Sequence, residues 1–240
     1  MILEHFDEGR SCAAGNMARD LLLLEDYPRP DALRLRHYAW EPDCFTFGYS
    51  QKFEWIRAQC PEGAQLARRP TGGGLVDHRH DWTFALAIPA THPFHHAPAI
   101  DVYRFVHEAI ALAFEALGRP ATLQPEETTP GPALPGMPKR VRGLCFAGAE
   151  PCDVIDPASR VKIAGAAMKR NRNGVLLQGS IDKLVAGELD WTAFRARFVR
   201  NLAVRFGVTG VAEVEPPPYP ADALAATVKR LSADTWLMRR

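Results

Sequence analysis

The stretch that most constrains this chain is Ser159 to Ile181, reading S-R-V-K-I-A-G-A-A-M-K-R-N-R-N-G-V-L-L-Q-G-S-I. Val161, Ile163 and Met168 sit among residues small enough to bring the backbone close to a neighbour, and Val175 to Leu177 form a second apolar run. Asn171-Arg172-Asn173-Gly174 between them carries turn chemistry, so the pattern predicts a hairpin. Lys162 heads its first strand. Gly165 and the alanines around it leave space rather than fill it, so the ammonium could meet an anion or a polarised carbonyl lying along the strand. A surface lysine on a tightly packed hairpin is the alternative that this stretch alone leaves open.

A second stretch asks for a similar reading. Leu66 to Arg69 leads into Pro70-Thr71-Gly72-Gly73-Gly74, followed by Leu75, Val76, Asp77 and His78. Three consecutive glycines cost chain entropy and add nothing to packing, so they usually let backbone come close to something. Arg68 and Arg69 place positive charge beside them. The spacing matches neither G-x-x-x-x-G-K nor G-x-G-x-x-G, which removes a nucleotide claim based on glycine count alone. A plain flexible turn stays open. Trp82 to Ile88 reads as a strand closing a hairpin with the segment before the glycines.

Elsewhere the signals are architectural. Ser11 is placed to cap an amphipathic helix running to Asp26, with Ala14, Met17, Leu21 and Leu24 on its apolar face. Leu33 to Ala39 and Cys44 to Tyr49 predict an antiparallel pair across Glu41-Pro42-Asp43, ending at Gly48, with Gln51 at a possible pocket rim. Asp101 is read as the cap of a long helix to Leu117, with Gly118 as its stop, and Asp190 as the cap of another ending at Gly207. Asp222 to Trp236 reads as a final helix. His92, His95 and His96 sit in a proline-punctuated connector with no carboxylate or cysteine at ligand spacing, so a metal site is not expected. Arg119 to Arg142 holds six prolines and predicts a loop over the site or an insert.

At 240 residues with net charge +1, the chain has room for one large domain and no global attraction to nucleic acid or membrane. The acidic first residues and the lack of a long apolar run predict a cytoplasmic protein. Five scattered cysteines without C-x-x-C spacing predict reduced thiols. Cys145 follows Lys139, Arg140 and Arg142, a field that lowers a thiol pKa and raises the thiolate fraction, which makes it the nucleophile candidate. A buried, inert thiol is the alternative.

Together these residues resemble the lipoate–protein ligase and octanoyltransferase family, which shares its catalytic fold with biotin–protein ligases. The resemblance is carried by Asn16-Met17-Ala18-Arg19-Asp20, by Arg68-Arg69-Pro70-Thr71-Gly72-Gly73-Gly74 with His78, and by Lys162-Ile163-Ala164-Gly165-Ala166-Ala167 running on to Gln178-Gly179-Ser180-Ile181. Trp40-Glu41-Pro42 and Gly48-Tyr49-Ser50-Gln51 are similar too. It implies an α+β fold: a mixed, largely antiparallel central sheet packed with helices, plus a smaller sheet. Residues 1–208 would form the catalytic domain and 209–240 a short helical tail. The implied chemistry passes an octanoyl or lipoyl group to a lysine on a lipoyl domain of a 2-oxoacid dehydrogenase or on the glycine-cleavage H protein. Cys145 and Lys162 would be catalytic. Arg69, Thr71, Gly72, Gly73, Gly74, His78, Gly165, Ala166, Gln178 and Gly179 would line the substrate channel.

Two chemistries fit the resemblance. Octanoyltransferases of one class take the acyl group from acyl carrier protein onto a cysteine, here Cys145, and need no tightly bound cofactor. Ligases activate free lipoate with ATP and Mg. The position of Cys145 and a C-terminal segment expected to be too short for a ligase accessory domain favour the transferase. Gly74 stands where such transferases often have arginine, Leu177 replaces a usual histidine, and Cys152 offers a second thiol. A third reading, a non-catalytic binder of phosphate or RNA through Lys139-Arg140-Val141-Arg142 and Lys169-Arg170-Asn171-Arg172, lacks the interleaved aromatics of a single-strand platform. Those clusters are expected to meet an acidic carrier protein instead.

Overall fold

The computed structural model describes residues 1–126, 148–217 and 219–239. In chain order the elements are β1 (Ile2–Ser11), α1 (Ala13–Glu25), β2 (Leu33–Trp40), β3 (Cys44–Phe47), α2 (Phe53–Arg57), β4 (Gln65–Arg68), β5 (Val76–Asp77) and β6 (Asp81–Pro89). Then follow α3 (Ala99–Glu115), β7 (Thr122–Leu123), β8 (Val154–Ile155), β9 (Lys162–Asn171), β10 (Gly174–Asp182), α4 (Lys183–Ala186), α5 (Trp191–Arg205), β11 (Gly210–Glu213), α6 (Ala221–Ser232) and α7 (Asp234–Leu237). One sheet runs β11-β1-β2-β6-β10-β9-β8-β7, and a smaller one runs β4-β3-β5. The expected α+β architecture, with a mixed and largely antiparallel main sheet, is present.

The hairpin of β9 and β10 lies inside the main sheet, with Asn171 opposite Gly174 across the turn. Period-two alternation sorts the side chains of the central strands onto two buried faces. Trp82, Phe84, Leu86 and Ile88 of β6 and Val175, Leu177 and Ile181 of β10 pack under α3 and α5, against Val106, Phe114, Phe194 and Phe198. Ala85, Ala87 and Leu176 face the other way, toward Met17 and Leu24 of α1 and Leu231 of α6. On that second face β10 then turns polar, presenting Gln178 and Ser180 beyond Leu176, and a cleft opens there.

Several local expectations are corrected. β2 and β3 do not pair: β2 lies parallel to β1 and antiparallel to β6, whereas β3 joins β4 and β5 in the small sheet. Phe45 and Phe47 of β3 have their own apolar partners in Ile56 and Leu75, which draws that strand away. For the same reason β4 and β6 form no hairpin; they belong to different sheets. Ser11 ends β1, so Cys12 caps α1, its sulfur accepting from the Gly15 amide at 3.3 Å. Asp101 sits in the first turn of α3, behind a Pro98 cap, and pairs with Arg104. Asp190 caps α5 as expected, accepting from Thr192 and Ala193. The final helical stretch breaks at Ala233 into α6 and α7.

Residues 209–240 also supply β11, parallel to β1 at the sheet edge. Among the described residues no helix is long and apolar enough to cross a membrane.

Candidate active site

The cleft on the α1 side of the sheet encloses about 410 Å³ of space open to solvent. Its floor is β9 and β10, through Gly165, Ala166, Ala167, Gln178, Gly179 and Ser180. Gly73, Arg69 and His78 come from the small sheet and its loop, and Met17, Tyr38 and Trp40 close the far side. The cleft therefore brings together seven of the residues expected from the sequence: Arg69, Gly73, His78, Gly165, Ala166, Gln178 and Gly179.

Lys162, at the head of β9, is not among the lining residues but lies directly against Gly165 of the floor. Its side chain is almost wholly buried, and its Nζ lies 2.7 Å from Asp153 Oδ2. A surface lysine is thereby excluded. A side chain at Gly165 would place its Cβ 2.5 Å from Lys162 Nζ and 2.7 Å from Asp153 Oδ1, so only glycine lets the pair lie against the cleft floor. Asp153 also accepts from the Glu150 amide at 2.7 Å. Its own placement depends on Cys152, a non-glycine residue at φ 67° whose carbonyl meets His107 Nδ1 at 2.7 Å. A left-handed conformation at such a residue is strained and persists only where its surroundings hold it.

The glycine loop is shaped from within. Arg69 donates to the carbonyls of Gly72 at 2.9 Å and Gly74 at 2.7 Å, and to Thr46 Oγ1 at 2.8 Å. Gln51 Nε2 donates to the Gly73 carbonyl at 3.2 Å, and the Tyr49 amide to the Thr71 carbonyl at 2.9 Å. Gly73 is the one member of the triplet at positive φ, 87°. A Cβ on Gly48 would meet the Gly73 carbonyl oxygen at 2.0 Å, so that glycine is needed for close approach as well. Thr71, Gly72 and Gly74 thus set the loop's shape, while Gly73 faces the cleft and a Cβ built on it would lie 3.6 Å from that of Ala167.

Two polar chains anchor the walls. Arg69 donates to Thr46 Oγ1, which lies 2.7 Å from His78 Nε2, while His78 Nδ1 lies 2.6 Å from Asp81 Oδ2. His78 stacks on Trp40 at 3.8 Å between ring centroids, and Asp81 collects Thr83 and Ser180 as well. In the second chain Thr71 donates to Gln178, and Gln178 to Asp20 Oδ2, both at 2.7 Å. Asp20 also takes Tyr38 and Arg36, and Arg36 reaches Asn16 and Glu8. Burial pushes the Arg36 guanidinium down, but Asp20 and Glu8 beside it more than offset that and keep it charged. Gly179 serves packing: a side chain there would strike the Phe84 ring at 2.3 Å.

Cys145 lies outside the described residues, as do Lys139, Arg140 and Arg142. Cys152, the other thiol considered, is buried, and burial raises its pKa. The loop histidines are used locally: His92 accepts from the Phe94 amide and His95 contacts the Asn171 carbonyl. Asp153, Asp20, Thr46, Trp40, Asp81 and His107 were not among the expected site residues. Asp153 stands nine positions before Lys162 with no pattern around it, whereas Asp20, four residues after Asn16 on one helix face, offered a signal in the form of two polar groups inside an apolar stripe.

The fold is shared with solved structures. A bipartite lipoate protein ligase from Thermoplasma acidophilum, described with its E2 lipoyl domain, aligns over 99% of this chain and 97% of its own, with TM-score 0.68 at 17% identity. LipL1 of P. falciparum in complex with lipoate gives 0.63 at 12% identity over 99% and 74%. At the level of sequence, the lipoyl protein ligase A/B catalytic domain matches residues 12–213, and this chain belongs to that family. Curated relatives named octanoyltransferase LipM include those of Lysinibacillus sphaericus, 29% identical over 181 residues, and Anoxybacillus flavithermus, 30% over 181. In both cases the match covers 73% of this chain and 63% of the relative, so the chain spans somewhat less than two thirds of their length.

Proposed function

We propose that the protein transfers an octanoyl group from acyl carrier protein to the target lysine of a lipoyl domain, in 2-oxoacid dehydrogenases or the glycine-cleavage H protein, through a thioester on Cys145. The observation that carries this reading is the shared cleft. Gly165 to Ala167 and the loop at Gly73 border one groove whose small residues suit an unbranched acyl chain, and Lys162, paired with Asp153, packs directly against Gly165. The names of the LipM relatives support the octanoyl assignment.

In the first step the Cys145 thiolate attacks the carbonyl carbon of the carrier thioester. The carrier's sulfur leaves with the electron pair and takes a proton. In the second, the neutral amine of the acceptor lysine attacks the acyl-cysteine, an amide forms, and the Cys145 thiolate is released with loss of one proton from nitrogen. Each step passes through a tetrahedral oxyanion. The ammonium of Lys162, itself almost wholly buried, supplies fixed positive charge for it. The buried Cys152 thiol, with its raised pKa, is the poorer nucleophile.

The test is incubation with octanoyl carrier protein followed by intact-protein mass measurement. An octanoyl adduct, labile to hydroxylamine and absent from Cys145→Ala, is expected. ATP-dependent ligation is the reading that Gly74 and the likeness to lipoate-protein ligase A bound with ATP would favour. Pyrophosphate release that requires lipoate, with no adduct from the carrier, would establish it in place of the transferase.

A further inference from the structure

Arg68 and Arg69 stand side by side at the end of β4, and the structure gives them opposite duties. Arg69 points inward and holds the carbonyls of Gly72 and Gly74. Arg68 points outward yet is fully buried, and among the described residues its hydrogen-bond partners are carbonyls alone. Nη1 donates to Tyr49 at 2.5 Å and Gln51 at 2.8 Å. Nε and Nη2 donate to Trp236 at 3.0 Å, Leu237 at 2.5 Å and Arg239 at 3.1 Å. The contact is returned, since the Trp236 indole N–H donates to the Arg68 carbonyl at 3.0 Å. Trp236 packs edge-on against Tyr49, and the Arg239 guanidinium lies 4.2 Å from the Tyr49 ring centre.

A guanidinium is the one side chain that can do this. Its planar fork presents five donors, so it can join two backbone segments at once, which a lysine ammonium on a flexible stem does less well. The carbonyls at the end of α7 carry the negative end of that helix's dipole, which favours a cation there. Of the two joined segments, residues 49–51 contact the glycine loop directly: the Tyr49 amide holds the Thr71 carbonyl, and Gln51 Nε2 holds that of Gly73.

We propose that Arg68 and residues 234–239 form a positioning clamp for the acyl-site loop, so that the helical turn at Asp234–Leu237, through Arg68 and residues 49–51, sets where Gly73 stands over the cleft. Arg68 is thus a positioning residue that acts through the loop. That the loop borders an acyl site rests on the function proposed above; the clamp itself does not.

The experiment compares wild type with Trp236→Ala, Trp236→Phe and Arg68→Lys by amide hydrogen exchange and by transfer kinetics. In Trp236→Ala and Arg68→Lys, exchange at Tyr49 and Arg69 is expected to speed at least tenfold, with Leu86 and Leu177 in the central sheet unchanged. KM for octanoyl carrier protein should rise at least fivefold while kcat changes less than twofold. Trp236→Phe keeps the ring contacts and loses one hydrogen bond, so it should fall between. Unchanged exchange at Tyr49 and Arg69, or equal acceleration throughout the sheet, overturns the clamp. Local acceleration in a protein whose wild type transfers no octanoyl group would support the clamp and instead refute the proposed function.

Discussion

Lys162 Nζ lies 2.7 Å from Asp153 Oδ2, and both side chains are more than nine-tenths buried. The carboxylate helps hold the lysine in register, and Asp153 in turn hangs from the strained Cys152 backbone that His107 grips. Removing one member of a buried ion pair is costly. Asp153→Asn is therefore expected to cost about 3–5 kcal/mol of stability, measured by urea unfolding, and Lys162→Met to lower single-turnover acyl transfer about 10²–10³-fold, the usual loss for one oxyanion donor. A transfer rate within threefold of wild type in Lys162→Met would remove the lysine from the chemistry.

Gly165→Ala adds one methyl group where there is no room. Its Cβ would fall 2.4 Å from Lys162 Cε, so the lysine must move off the cleft floor. Overpacking of this kind costs about 1–3 kcal/mol, and transfer should fall more than stability alone explains. A crystal structure of the variant should show Lys162 Nζ displaced from Asp153. An undisturbed pair would contradict the steric argument.

The carboxylate of Asp20 holds Gln178, Tyr38 and Arg36 together at 0% exposure. Asp20→Ala breaks that junction, and about 3–5 kcal/mol of stability should go with it. Because Gln178 also takes the Thr71 hydroxyl, the variant should loosen the glycine loop too. Faster backbone exchange around residues 71–74 would report it; a stability loss below about 1 kcal/mol would mean the junction behaves like a surface pair.

Burial lowers the pKa of His107, with Asp153 and the Cys152 carbonyl opposing the shift and Lys162 adding to it. Its folded-state pKa thus lies below the unfolded reference of about 6.5, so below that pH the unfolded chain binds the extra proton and the folded protein does not. Stability contributed by the neutral ring is complete above about pH 6.5 and is lost as pH falls, by up to about 1.4 kcal/mol per pH unit. His107→Asn, whose amide can still donate to the Cys152 carbonyl, should flatten this part of the profile between pH 7 and pH 5. An unchanged slope would show that His5, His37 and His92, also lowered by burial, account for it.

Much of this was legible in the chain because its signals are local. The turn at Asn171 to Gly174 fixes the β9–β10 hairpin, and Asp190 with Phe194, Phe198 and Leu202 writes out α5 within one segment. What failed depends on distant partners. Proximity in sequence pairs β2 with β3, but its hydrogen bonds go to β1 and to β6, more than forty residues on. β1 itself passed unread, because Glu4, Asp7, Glu8 and Arg10 disguise a strand whose Leu3 and Phe6 are buried. In the site, Lys162 and the glycines were visible as a charge beside missing side chains. Asp153 was not, since its role depends on where Cys152 turns the chain.

The most direct test is a crystal structure of the protein carrying an octanoyl group, captured after reaction with octanoyl carrier protein. The carbonyl oxygen should lie within about 3 Å of Lys162 Nζ, a hydrogen-bond distance, with the chain running over Gly165 to Ala167 beneath Gly73. An acyl chain seated elsewhere, with Lys162 still locked on Asp153 and the cleft empty of it, would contradict the account.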